Sequence, residues 1–309
     1  MLKIFHQCLP QIPNKKKSSC MSISKYWLLL FVCGVRSWGP EGHRIVADLA
    51  ERFLVPEAKR AVSKILSGSS MASVATWADE IDHKREFAWT KCMHYIDASA
   101  GTCFVDINKD CENNCCVVKA IANYTERMVG EDEITDSLKF LIHFMGDVHQ
   151  PLHAGHREDK GGNMIEIFPD FSPVHQRREN LHEVWDGVLI RHYLETHKET
   201  WEQYSSKIFE KISNRTYFDN VCELDKMKKC PLLAAQESAS DACEFAYIDE
   251  NGAQISSGTH LSEHYYSARI DIVEQRLALA GIRLGNTLNG IFSNLIRELE
   301  DSRIVVQEG

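Results

Sequence analysis

The sequence predicts an all-α fold, a single mainly helical domain with one small β-hairpin. Three observations carry this expectation. Apolar residues recur at helical spacing in five long stretches, alternation of period two appears in one short stretch, and no internal repeat or low-complexity linker divides the chain.

The elements follow in order. Residues 1–37 carry Lys3, Lys15, Lys16, Lys17, Lys25 and Arg36, no acid, and the apolar run "YWLLLFVCGV". That run is shorter than the roughly 20 residues that span a bilayer. A basic start, an apolar middle and small residues at the end describe a secretory signal peptide. Val35 and Ser37 suit cleavage before Trp38, and Met21 is an alternative start. Pro40 opens a first helix, where the initial turn tolerates proline, and Ile45, Val46, Leu49, Phe53 and Leu54 form its apolar stripe. Further helices are expected near 117–129, 134–150 and 180–195, and another along 268–296. Between the third and fourth, "DKGGNMIEIF" reads as a glycine turn and a short alternating strand. The expected domain is 38–296, followed by a polar tail, 297–309.

Composition narrows the function. The leader takes six of the 35 Lys and Arg and none of the 44 Asp and Glu, so the remainder is 29 against 44, net –15. Such a surface repels polyanions, and any activity on nucleic acid needs a local positive source. Eight cysteines follow the leader: Cys92, Cys103, Cys111, Cys115, Cys116, Cys222, Cys230 and Cys243. An even number in a secreted chain suggests disulfides, with 105 possible pairings. Asn123 and Asn214 lie in Asn-X-Thr triplets that fit glycosylation on the same route. The tail is too polar for a lipid-anchor signal. A secreted or endomembrane-lumenal monomer without stable membrane association is expected.

The chemistry concentrates in "LIHFMGDVHQPLH", residues 141–153. At 100° per residue, Leu138, Leu141, Ile142, Met145 and Val148 share one face within about 80°. His143 and Asp147 lie together on the opposite side, four apart, and can share one ligand. His149 falls inside the apolar stripe and reads as a hydrogen-bonded core histidine. His153 lies beyond Pro151, where the helix should end. The fourth helix repeats the pattern with His182 and Asp186. Histidine and aspartate without cysteine favour zinc in an open, catalytic type of site. Asp79 in "VATWAD" and His94 in "HYID" are further candidates.

These segments, with "WGPEGH", "GGN", "NLHEVWD" and "AGIRL", stand in an order that resembles the zinc-dependent, single-strand-specific nucleases of fungi, plants and protists, also called class I or bifunctional nucleases. The resemblance runs from Trp38 to about Phe292. It implies the fold shared by zinc phospholipases C and single-strand nucleases, and three zinc ions. One zinc would take Asp79, His94, His143 and Asp147. Its partner would take His153, His182 and Asp186. The third would bind His43, Asp147, and the free amine and carbonyl of Trp38. An α-amine has a pKa near 8, so it yields its proton to a metal at little cost.

The implied reaction hydrolyses single-stranded DNA and RNA to 5′-phosphates, with 3′-nucleotidase activity, through a water activated between paired zincs. Asp79, Asp97 and Asp147 are the implied catalytic acids. Three Zn²⁺ against three aspartates leave about +3, the positive source that the acidic surface requires. Tyr95 stands where the family stacks an aromatic on an unpaired base, worth roughly 1–3 kcal/mol. Asp110 resembles a family acid at the base edge, and Asn163 is either a turn residue or a group reaching the site. Where relatives carry Arg or Lys to steady the phosphate, this chain has Asp82, with Lys84 or Arg85 as substitutes. A further departure is Cys92 with the Cys115–Cys116 doublet, which suggests an additional bridge. Rival readings are a zinc phospholipase C, which carries Glu where this chain has Asp186, a non-enzymatic metal-binding protein, and an enzyme specialised toward 3′-nucleotides.

Overall fold

The computed structural model describes residues 38–128, 133–172, 177–213 and 229–307, with side chains as far as Ser293. The expected leader, Asn214 and Cys222 lie outside the described residues.

Helix α1, Pro40–Arg52, starts at the expected proline and buries Ile45, Val46 and Leu49. Helix α2 spans Pro56–Ile65. Short helices Met71–Val74 and Trp77–Asp82 follow, then a 3₁₀ stretch, Arg85–Met93. Helices α3, Val117–Arg127, and α4, Ile134–Asp147, match the expected second and third helices. The α4 helix has no solvent face along its second half: every residue from Phe140 to Ala154 is buried. His143 and Asp147 are therefore opposite the apolar stripe but not exposed. They form a polar seam inside the protein.

The fourth helix, α5, begins as Leu181–Glu183, widens into a π-helical turn at Val184–Val188 and continues as Leu189–His197. The simple 100° wheel does not describe it, because the π turn inserts an extra residue per turn. Helices α6, Trp201–Ser213, and α7, Cys230–Asp241, complete the body before the long α8, Glu263–Gln307. The backbone of α8 carries on helically through most of the polar tail. Helix α1 lies along α8 and also meets α6 and α4, so the first helix is central rather than peripheral.

The expected strand is β1, Glu166–Pro169, which pairs antiparallel with β2, Glu179–Asn180. A third strand, β3, Thr259–Leu261, adds in parallel to the other edge of β1. Sequence reading missed β3, because three residues give no periodic signal. Among the described residues, no helix is long and apolar enough to cross a membrane.

Candidate metal centre

Five separated stretches converge on the inner end of α4. His143 and Asp147 come from α4 itself, His43 from α1, Asp79 from the helix Trp77–Asp82, and His94 from the end of the 3₁₀ stretch. His153 sits in the one-turn 3₁₀ helix Pro151–Ala154 that follows α4, and His182 and Asp186 lie on α5. Except for the half-buried Asp79, all are within 2% of full burial.

They form three groups, within each of which the ligand-type atoms lie inside 4.8 Å of one another: Asp79, His94 and His143; His43, His143 and Asp147; and His153, His182 and Asp186. His143 belongs to the first two, and Asp147 of the second also reaches the first. Its Oδ2 stands 3.0 Å from His94 Nδ1 and 3.4 Å from His143 Nε2, and its Oδ1 is 3.3 Å from His43 Nε2. His143 Nε2 is also 3.2 Å from Asp79 Oδ1. In the third group, His182 Nε2 lies 3.3 Å from Asp186 Oδ2 and His153 Nε2 3.8 Å from Asp186 Oδ1. Eight of the nine residues expected as ligands are thus brought into these groups, Trp38 being the exception. The Trp38 side chain is wholly buried, and the next residue's N–H donates to Asp186 O at 2.7 Å.

Backbone carbonyls fix the imidazoles. His143 Nδ1 donates to Ala75 O at 2.7 Å, His153 Nδ1 to His94 O at 2.6 Å and His182 Nδ1 to Gly161 O at 2.6 Å. Each donation turns Nε2 toward the carboxylates, so that losing the proton there gives the tautomer that a metal needs. Two glycines make room. A Cβ on Gly146 would fall 2.8 Å from His43 Nδ1, and Gly161 adopts φ 61° to present its carbonyl to His182. Tyr247 braces that turn: its hydroxyl donates to Asp159 Oδ1 at 2.9 Å and accepts from His156 N.

The charge balance asks for cations. Asp147 Oδ1 and Asp186 Oδ2 are buried and accept no well-formed hydrogen bond among the described residues, with His43 Nε2 and His182 Nε2 each 3.3 Å away, and a buried carboxylate oxygen so poorly satisfied is costly. Burial and the neighbouring Glu183 push the Asp186 carboxyl well above the usual range, with only Gln150 opposing. Gln150 Nε2 donates to Asp186 Oδ1 at 2.6 Å. Burial disfavours charge on His143, but Asp147 and Asp79 outweigh it and hold this imidazole up to about 9. Divalent ions would replace those protons and satisfy these oxygens. The donor set therefore fits metal.

The remaining candidates spread around the centre. Half-buried Tyr95 and Asp97 line an adjacent cavity. Burial, with the Asp159, Glu112 and Glu158 carboxylates, pushes Asp97 up to about 7 against the pull of Arg157. Asp110 is buried with both oxygens engaged, Oδ1 by Ser99 Oγ at 2.8 Å and Oδ2 by Asp106 N at 2.7 Å. It holds the loop that frames the cavity. The Asn163 amide closes its own turn onto Lys160 O at 2.8 Å. Lys84 and Arg85 are exposed, and Asp82 turns toward His83. Asn123 is exposed on α3. His149 is a core histidine as expected, with Nδ1 donating to Met145 O and Nε2 accepting from Arg283.

Three disulfides are described: Cys92–Cys115, Cys103–Cys243 and Cys111–Cys116. The first is the additional bridge that the sequence suggests. Cys230 is also disulfide-bonded. Sequence reading missed Gln150, Arg157 and Tyr247. Gln150 alone had a signal, standing between two candidate ligands in "DVHQPLH".

Comparison with known proteins agrees with this arrangement. The family model described as S1/P1 Nuclease matches residues 38–293. Endonuclease 4 of Arabidopsis thaliana is 36% identical over 289 residues, covering 86% of this chain and 93% of its own. Nuclease P1 of Penicillium citrinum is 32% identical, covering 84% and 99%, and Nuclease S1 of Aspergillus oryzae is 30% identical, covering 83% and 92%. By motif order, by the convergence of the histidines and aspartates and by similarity over nearly the whole described body, the chain belongs to the S1/P1 nuclease family.

Proposed function

We propose that this chain is a secreted, zinc-dependent endonuclease that hydrolyses single-stranded DNA and RNA to 5′-phosphate products and also removes the phosphate of 3′-nucleotides. Family membership makes it a hydrolase acting on nucleic acid. The observation that best supports the finer reading is Asp147, whose two oxygens serve two neighbouring His/Asp groups while a third group lies beside them. Zinc held by these residues would supply Lewis acidity, lowering the pKa of water and drawing charge from the oxygens of a phosphodiester.

The chain's own groups do the rest. Carbonyl-anchored imidazoles need no reorientation to accept a cation, which keeps the reacting region rigid. Trp38, freed by cleavage before it, would complete the His43–Asp147 group with its amine and carbonyl. Tyr95, at the cavity beside His94, offers a face on which an unpaired base can stack. A duplex hides its base faces, so this surface favours single strands. Asp97, held neutral in mildly acidic solution, can donate a hydrogen bond at the same cavity instead of repelling substrate.

One assay separates the readings. Purified, zinc-loaded protein is incubated with single-stranded DNA, 3′-AMP and phosphatidylcholine. Cleavage of the first two and not the third is expected. Cleavage of the lipid alone would assign a phospholipase, and no turnover from protein holding two or more zincs per chain would refute the proposal. A form retaining one residue before Trp38, verified by N-terminal sequencing, should bind one zinc fewer.

A further inference from the structure

A cavity of about 300 Å³ lies beside the centre. One wall is the segment carrying His94, through Tyr95 and Asp97. The facing wall is the loop Cys111–Cys116, through Glu112 and Asn113. That loop has an uncommon backbone. Asn113 and Asn114 are consecutive non-glycine residues in the left-handed region, at φ 52° and 57°. Asparagine tolerates this region better than most, but two in succession persist only where the surroundings over-determine them.

Two cross-links supply that constraint from adjacent residues. Cys116 closes on Cys111, five positions away, and constrains the loop internally. Cys115 instead crosses to Cys92, with Cα atoms 5.5 Å apart. Cys92 is two residues before His94, so of the two bridges this one ties wall to wall. Hydrogen bonds run alongside it: Val117 N donates to Tyr95 O at 3.0 Å. At the cavity edge, Arg157 reaches the Glu112 carboxylate at 3.2 Å and Asp97 O at 3.4 Å.

We infer that the Cys92–Cys115 bridge is a positioning device for substrate: it holds the Glu112–Asn114 loop against the Tyr95 segment, so that the cavity receiving a nucleobase is formed before the nucleotide arrives. This rests on the nuclease reading. Neither sulfur needs to touch the reacting atoms, because the effect passes through the loop. Pre-ordering a binding wall improves affinity by removing the entropy loss that binding would otherwise incur. The histidines and aspartates are oriented by other contacts, from Ala75, His94, Gly161 and Gln150. Loss of the bridge therefore weakens binding and leaves the chemical step alone.

The test is the variant Cys92→Ala/Cys115→Ala, zinc-loaded and assayed on 3′-AMP and single-stranded DNA. KM should rise about five- to tenfold, kcat should stay within about twofold, and zinc per chain should equal the parent's. Amide exchange should quicken in residues 111–116 and not in α4. Asn113→Val keeps both bridges but places a β-branched residue where φ is positive, and it should raise KM in the same direction. KM within twofold of the parent in both variants overturns the inference. Parallel loss of zinc in the bridge-free variant also overturns it, because the bridge would then support the metal centre instead of the cavity. A parent that cleaves neither substrate refutes the nuclease reading, and the exchange rates of the loop still decide whether the bridge orders this wall.

Discussion

Two histidines six residues apart, His143 and His149, are both wholly buried and both donate Nδ1–H to a backbone carbonyl, yet they serve opposite purposes. The other nitrogen separates them. His143 Nε2 faces Asp79, Asp147 and His94. His149 Nε2 accepts from Arg283, and burial, with Arg283 and Arg276, holds that imidazole well below its ordinary pKa. A carboxylate-facing nitrogen is open to a cation, whereas one already bonded to a guanidinium is closed to it. The region around His149 is itself a network. Arg276 donates to His149 O, Glu237, Ala234 O and Ser238, and Arg283 grips Glu237 with two nitrogens. One end of the segment gathers carboxylates in an arrangement that fits cations. The other balances its charge with side chains of α7 and α8.

The largest expected effect breaks the cation side. Asp147→Asn should cut activity by at least about a thousandfold, exceeding the 10–100-fold typical of outer partners, and should lower zinc per chain, as measured by atomic emission. Glu237→Ala tests the balanced side. It takes their shared carboxylate from two buried guanidinium groups, leaving Arg276 with Asp241 and Arg283 with His149, so unfolding free energy should fall by about 3 kcal/mol with zinc content unchanged; denaturant titration and metal counting together check this. If zinc were lost as well, the two regions would not be separable.

Gln150→Ala removes the single donor described on Asp186. Zinc affinity should drop about 10–100-fold, read by competition with a chromophoric chelator, while the cation-free protein keeps its fold. The smallest effect concerns Asp97. Its folded pKa is raised, so the stability it contributes is fully present below about pH 4 and is lost as pH rises through about 7. Asp97→Asn should match the parent near pH 4 and exceed it above pH 7 by about 1–2 kcal/mol, a value discounted for partial solvent access. Parallel melting curves across that range would disprove it.

Much of this was legible in the chain. His143–Asp147 and His182–Asp186 announced themselves because four residues bring side chains to one helix face, and Pro151 marked the end of α4. His149 was separable from the candidate ligands by its angle alone. What escaped has a physical cause. Contacts such as Tyr247 to Asp159 join residues 88 apart and leave no local pattern. The roles of Ala75, His94 and Gly161 reside in carbonyls, which every residue possesses. Asp110, expected from the resemblance at the base edge, lines the cavity, and its bonds from Ser99 and Asp106 are a further role that no local pattern shows.

The π turn in α5 has a consequence for how such an enzyme can vary in length. Removing one residue within Val184–Val188 would regularise the helix and keep Leu189 and Ile190 on their buried face, because a π turn absorbs its extra residue locally, but it would shift Asp186 relative to His182. Surface loops absorb indels readily, but this interior turn has its residue count locked, since the extra residue sets where Asp186 sits opposite His153 and His182.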